Sequence, residues 1–179
     1  PARTCLMTGM TPWNTGILGM GEGQGRVTTG FAHTLPGELS NAGYHTQGVG
    51  KMHFSPQRSL NGFHHTVLDE SLRKEDKNFK SDYHEWFEKN RTGDYGPVDH
   101  GISFNSWMAR PFQAPEFLHP TNWTVNQAIS FLERRDPSKP FFLKVSFARP
   151  HSPYDPPLWY YEKYKSKDLP LPYIGDWAH

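Results

Sequence analysis

Two stretches of the chain run through the same order of events: a helix with an apolar stripe, a stop, a short apolar strand, then a cluster of basic residues. In the first, Thr34 reads as an N-cap with Pro36 in the first turn, and Leu35, Leu39 and Ala42 fall at i, i+4 and i+7 before Gly43. Tyr44–Val49 then predicts a short strand that runs into Gly50-Lys51-Met52-His53. In the second, Thr121 predicts the cap of a helix whose Val125, Ala128, Ile129 and Leu132 share one face. Arg134 and Arg135 close that helix, where cations suit its dipole. Asp136–Pro140 reads as a turn, and Phe141–Phe147 predicts a buried strand leading into Arg149-Pro150-His151-Ser152-Pro153. Helix, stop and short strand form the local pattern of an α/β domain. In open α/β sheets, ligands bind beyond the carboxyl ends of the strands, and both basic clusters fall there.

The remaining segments carry weaker signals. Pro1–Thr8 predicts a helix stopped by Gly9, and residues 9–30, with seven Gly, read as a long loop. Residues 55–80 read as irregular, Ser81 as the cap of a helix to about Lys89, and residues 91–118 as loop. Pro150, Pro153, Pro156 and Pro157 argue against regular structure soon after the last strand. With 16 Gly and 16 Pro the chain is loop-rich, yet six Trp, eight Tyr and twelve Phe exclude a disordered chain. Nineteen Lys and Arg against 18 Asp and Glu argue against nucleic-acid binding as the main role. Cys5 is the single cysteine, so neither an internal disulfide nor a CxxC metal site is possible. No apolar run is long enough to span a bilayer.

The chemistry concentrates in three places. If the chain stays extended past Val49, Lys51 and His53 point the same way, pairing a cation with a titratable imidazole. His151, between prolines, is held in a stiff non-helical turn at a strand's end. Arg3 sits at a helix start, where backbone N–H groups favour anions and a guanidinium adds a bidentate fork. An anionic substrate suits all three. Each segment also has an ordinary reading, as a solvated Lys-His pair, a proline-rich turn or a first-turn Arg.

Together and in this order, the three segments resemble the sulfatase family. Pro1-Ala-Arg-Thr-Cys-Leu-Met-Thr-Gly9 resembles the end of the C-x-P-S/A-R-x-x-L-x-T-G signature. Gly43-Tyr44-His45-Thr46 with Gly50-Lys51-Met52-His53 resembles the second signature, and residues 140–157 resemble the P-F-F-L strand and P-H-x-P turn. The resemblance implies part of an alkaline-phosphatase-like fold, with a mostly parallel central sheet flanked by helices, incomplete within these residues. It implies that residues 1–179 are an internal piece of the N-terminal catalytic domain. The signature cysteine, or serine in some bacterial versions, then falls two positions before Pro1. In the family it becomes a formylglycine whose hydrate attacks sulfur. Cys5 falls at a variable position of the signature and reads as a structural thiol.

By motif position, the resemblance assigns Arg3 to steadying the formylglycine and Lys51 to sulfate and formylglycine. It assigns His53 to the formylglycine hydroxyl and His151 to sulfate near the leaving oxygen. It implies one divalent cation, usually calcium, whose Asp and Asn ligands match nothing in this chain. Asp69, Glu70, Asp94, Asp99, Asp155, Asp168 and Asp176 read instead as solvated loop acids. His64, His65, Arg110, Arg149, His119 and Trp107 are candidates for a substrate pocket, each equally open to an ordinary structural reading. Asn90-Arg91-Thr92 and Asn122-Trp123-Thr124 match a glycosylation sequon, a pattern common by chance. The implied substrates are sulfate esters of carbohydrates or aryl compounds. The implied partner is a formylglycine-generating maturase, and the implied location is outside the cytoplasm. A phosphonate monoesterase or phosphodiesterase of the same superfamily, and a non-catalytic anion- or glycan-binding homologue, remain open at this point.

Overall fold

The computed structural model describes residues 1–19 and 30–178. It is an α/β structure with helices α1 (Ala2–Thr8), α2 (Pro12–Thr15), α3 (Leu35–Asn41), α4 (Asp82–Asn90), α5 (Pro120–Arg134) and α6 (Leu158–Lys165). Strands β1 (His45–Gly50), β2 (His65–Leu68) and β3 (Phe141–Ser146) form one parallel sheet in the order β2-β1-β3. Gly50 lies opposite both Leu68 and Ser146, so all three strands deliver their carboxyl ends to one edge. Much of the expected loop over residues 9–30 lies outside the described residues, and its described part contains α2.

Several helix ends form as the sequence predicts. Gly9 closes α1 at φ 70°, a left-handed cap that glycine adopts without strain. Thr34 caps α3 by accepting from Gly37 N–H at 3.2 Å, and Ser81 caps α4 by accepting from His84 N–H at 3.3 Å. The α5 cap is His119, not Thr121: its Nδ1 accepts from Thr121 N–H at 3.2 Å.

The apolar faces of the helices differ from the predicted stripes. In α5 the buried face is Trp123, Thr124, Ala128 and Phe131, while Val125, Ile129 and Leu132 are 39%, 46% and 45% exposed. The larger rings of Trp123 and Phe131 decide which face turns inward. In α3 Pro36 is buried and Leu35 and Ala42 are exposed, so that short helix is held by its cap and its first turn. Strand β3 is half-buried, not buried, because it is an edge of the described sheet; Phe141 and Val145 are each 37% exposed. Strand β2 and helix α6 fall where irregular structure was predicted. The outer edge of β2 is closed by α4, where Asp82 accepts from Leu68 N–H at 2.6 Å.

The sheet is covered on both sides. Helix α5 packs on β1 and β3, with Phe131 edge-on to Phe141 and His45. On the opposite face Met7, Met52, Phe54, Phe63 and Leu68 form one core, into which Phe142 packs. Tyr83, Phe87, Phe112, Leu118 and Trp123 form a second core joining α4 and α5 to the loop between them.

Candidate functional site

Each strand ends in polar residues at the same edge of the sheet. β1 leads to Lys51 and His53, β2 to Asp69 and Glu70, and β3 to Arg149 and His151. The extended continuation past β1 does not occur: Gly50 turns out at φ 90° and His53 sits at φ 61°. Lys51 and His53 are therefore presented by a tight loop rather than by strand alternation. Lys51 N–H donates to Ser146 O at 2.7 Å, which holds the start of that loop against β3.

Lys51 is 8% exposed. Burial lowers its ammonium pKa from the ordinary lysine value, and the Arg3 guanidinium lowers it further, while Glu70 and Asp69 pull it back up. Burial, then Arg73, Lys51 and Arg3, push the His53 imidazole down to about 4. His53 is thus neutral at pH 7, suited to exchanging a proton or a hydrogen bond rather than to acting as a cation. The shared influences bring Arg3, Lys51 and His53 into one field.

Lys144, in the middle of β3, belongs to the same field. Burial and Arg3 lower its pKa to about 8, and its Nζ lies 3.5 Å from Met52 Sδ. Lys144 stands inside the apolar run that predicts β3. A lysine within such a run is itself the signal, because lysine is seldom buried without a partner. Arg3 acts on both Lys51 and Lys144, and the acid that acts on both is the buried Glu70, so the three cations share one field. Such a cluster attracts an anion with several oxygens.

His151 occupies the same end of the sheet but is exposed on the turn after β3. Its Nδ1 lies 2.8 Å from Ser152 O, so in the neutral ring Nδ1–H donates and Nε2 is left to accept. Among the described residues, the groups that shift Lys51 and His53 do not include His151.

The candidate substrate residues take other positions. His64 and His65 lie at the amino ends of the strands, across the sheet from Lys51, because β2 runs parallel to β1. His64 is engaged there, its Nδ1 accepting from Thr46 N–H at 3.1 Å. Arg149 is committed to Asp155 by two bonds of 2.5 and 2.6 Å. His100 Nε2 stands 3.4 Å from the same carboxylate, and His119 Nε2 donates to Asp155 O at 3.2 Å. Arg149 and His119 thereby fasten the His151 turn to the start of α5. Arg110 donates to His100 O at 3.1 Å, and Trp107 is solvent-exposed.

Three acids expected in solvent are buried. Asp155 holds Arg149, Glu70 accepts from the backbone N–H groups of Met52 and His53, and burial raises the Asp69 carboxyl pKa. Among the described residues no group of three or more His, Cys, Asp or Glu can hold a metal ion. Both Glu70 oxygens are already hydrogen-bonded, so Glu70 does not fit as a calcium ligand.

A parallel sheet with a cationic cluster at its carboxyl edge defines an α/β protein built to handle an anion. Comparison with known proteins makes this specific: residues 1–171 match the sulfatase family model, and the chain belongs to the sulfatase family. It is 46% identical to an arylsulfatase of Clostridium perfringens over 188 residues, covering 99% of this chain and 38% of that protein. It is 28% identical to a choline-sulfatase of Rhizobium meliloti, covering 98% of this chain and 33% of that protein. It is 30% identical to the human iduronate 2-sulfatase, covering 96% of this chain and 30% of that protein. The chain thus spans well under half the length of these relatives. No helix among the described residues is long and apolar enough to cross a membrane.

Proposed function

We propose that this chain carries the cationic side of a sulfate-ester hydrolase site, with Arg3, Lys51, His53 and His151 as its working residues. The observation that carries the reading is the shared field of Arg3, Lys51 and His53 at the carboxyl edge of the sheet in a chain of this family. The formylglycine, placed by the signature two positions ahead of Pro1, supplies the nucleophilic oxygen when present.

The chain's own residues do the rest. Arg3 and Lys51 hold sulfuryl oxygens and neutralise the charge that spreads over them as the ester bond breaks. Neutral His53 exchanges a proton with the nucleophilic oxygen. His151, its Nε2 open, meets the sulfate near the leaving oxygen. A groove of about 450 Å³ borders the His151 turn and is lined in part by Pro150, Pro153, Tyr154 and Tyr160. Faces of this kind suit an aryl or sugar ring, in keeping with sulfated carbohydrates or aryl sulfates as substrates. Calcium, the maturation enzyme and work outside the cytoplasm follow from the family resemblance.

The test is turnover of nitrophenyl sulfate against a nitrophenyl phosphonate by the full-length protein, with Lys51→Ala and His53→Ala alongside. Preference for the sulfate and a loss of about a hundredfold or more in kcat/KM in each variant are expected. Preference for the phosphonate makes the protein a phosphonate esterase. Binding of sulfated glycans without turnover makes it a binding homologue.

A further inference from the structure

The loop that presents Lys51 and His53 has no regular structure of its own, yet it is gripped at nearly every residue by the segment after β2. Glu70 is wholly buried. Its Oε1 accepts from Met52 N–H at 2.9 Å and from His53 N–H at 2.7 Å. Its Oε2 accepts from Arg73 Nε at 3.2 Å and from an Arg73 terminal nitrogen at 3.0 Å. Arg73 reaches across to Phe54 O at 2.8 Å and pairs with Glu75 at 2.5 Å. Glu75 Oε2 accepts from Ser55 Oγ at 2.6 Å. Gln57 closes the series, donating to Arg73 O at 2.7 Å and accepting from Glu75 N–H at 3.0 Å.

We propose that Glu70, backed by Arg73 and Glu75, is the positioning residue that holds His53 and Lys51 in register for catalysis. Three observations carry this. His53 has a left-handed backbone, φ 61°, which a residue with a Cβ does not hold unless its surroundings fix it, and the Glu70 carboxylate binds its amide directly. The carboxylate is fully enclosed, with Oε1 on the two loop amides and Oε2 on Arg73, which itself reaches Phe54 O of the same loop. It is also a buried negative charge among Arg3, Lys51, Lys144 and Arg73, so it both fixes the loop and partly balances the site's cations. A charged acceptor serves two amides better than a neutral one, because charge-assisted hydrogen bonds are shorter and stronger.

The inference rests on the sulfatase reading, and the two fail in different ways. Glu70→Gln keeps an acceptor oxygen for the amides but removes the charge; Glu70→Ala removes both. In the full-length protein acting on nitrophenyl sulfate, kcat is expected to fall about tenfold in Glu70→Gln and about a hundredfold in Glu70→Ala, with KM moving less than threefold. The charged groups acting on Lys51 are Arg3 from α1 and Asp69, Glu70 and Arg73 from the segment after β2, and Lys51 in turn acts on His53 of its own loop. Glu70 favours the charged lysine, so its neutralisation moves the alkaline limb of kcat/KM to lower pH by about half a unit or more. A purely structural role lowers the folded fraction and leaves that limb where it is. Amide hydrogen exchange at Met52 and His53 and the titration of the His53 ring need no turnover. Faster exchange is expected in Glu70→Ala, with a His53 pKa moving from about 4 towards 6.5, because burial is the main cause of its depression and release of the loop to solvent outweighs the lost carboxylate charge. If the wild type turns over no sulfate ester, the functional reading fails and these two signals still decide the positioning role. Should Glu70→Gln keep kcat, the alkaline limb and the amide protection of the wild type, the positioning role is overturned.

Discussion

At the scale of single residues, Gly50 shows how closely the site is joined to the sheet. It ends β1 at φ 90°, and a Cβ there would lie 2.1 Å from Ser146 O and 3.2 Å from Thr124 Cγ2. The first contact is with backbone, so no side chain can swing away to relieve it. The same Ser146 O accepts from Lys51 N–H, so displacing it moves Lys51 as well. Gly43 has a similar φ of 89°, but nothing lies within 4 Å of where its Cβ would be. Gly50→Ala is therefore expected to cost about 4 kcal/mol or more, the range of severe core damage. Gly43→Ala is expected to cost only about 1–2 kcal/mol, the left-handed strain alone. Urea unfolding of the two variants checks this; equal costs would mean that β1 and β3 part easily at Gly50. His119 makes the complementary point, that a hydrogen-bond pattern can fix a tautomer. Nδ1 accepts from Thr121 N–H and Nε2–H donates to Asp155 O, so the ring works as a cap only when neutral.

At the scale of elements, α5 has two apolar sides, and of the stripe predicted by periodicity only Ala128 turns inward. Val125, Ile129 and Leu132 keep the 3–4 spacing, but Trp123 and Phe131 carry more surface per residue and take the inner face. Ile129→Glu is expected to change stability by no more than about 0.5 kcal/mol, as exposed substitutions do. Phe131→Ala is expected to cost about 3–5 kcal/mol, because it empties the contact with His45 and Phe141. Denaturant midpoints of the two variants decide between the faces, and the reverse order would restore the predicted stripe. Legibility follows the same division. Caps and stops such as Thr34, Ser81 and Gly9 are local chemistry, and they were readable. So were the strands that lead into Lys51 and His151. Strand β2 was not, because its four residues open on a histidine and a threonine and lack a clear apolar run. The burial of Asp69, Glu70 and Asp155 was not readable either. Glu70 and Asp155 are buried through partners distant in sequence, Met52 and His53 for the one and His100 for the other, and no local spacing encodes that. Lys144 was readable in principle, as a charge inside an apolar strand.

At the scale of the whole molecule, the chain folds around groups that resist protonation. His53, His84 and His119 are each held down to about 4, chiefly by burial, against an unfolded value of 6.5. Between those values the unfolded chain binds protons that the folded chain refuses, so stability is present above pH 6.5 and is lost as pH falls towards 4. For the buried His119 alone this amounts to about 3 kcal/mol. Asp69, raised by burial, opposes the trend. The same sign holds at the alkaline side. Lys144 is lowered from 10.5 to about 8, and Lys51 is lowered too, so the fold gains stability as pH rises through that window. At neutral pH the molecule therefore carries one buried and one half-buried ammonium group, Lys51 and Lys144, whose charge opposes folding. An anion that binds there relieves this repulsion. The expected outcome is that millimolar inorganic sulfate raises the unfolding midpoint at pH 7 and that the gain fades above about pH 8.5 as Lys144 loses its proton. Lys144→Met is expected to raise stability without sulfate and to shrink the sulfate response. A sulfate response equal at pH 7 and pH 10, or unchanged in Lys144→Met, would mean that the anion is held by surface charge and not by the cluster at the carboxyl edge of the sheet.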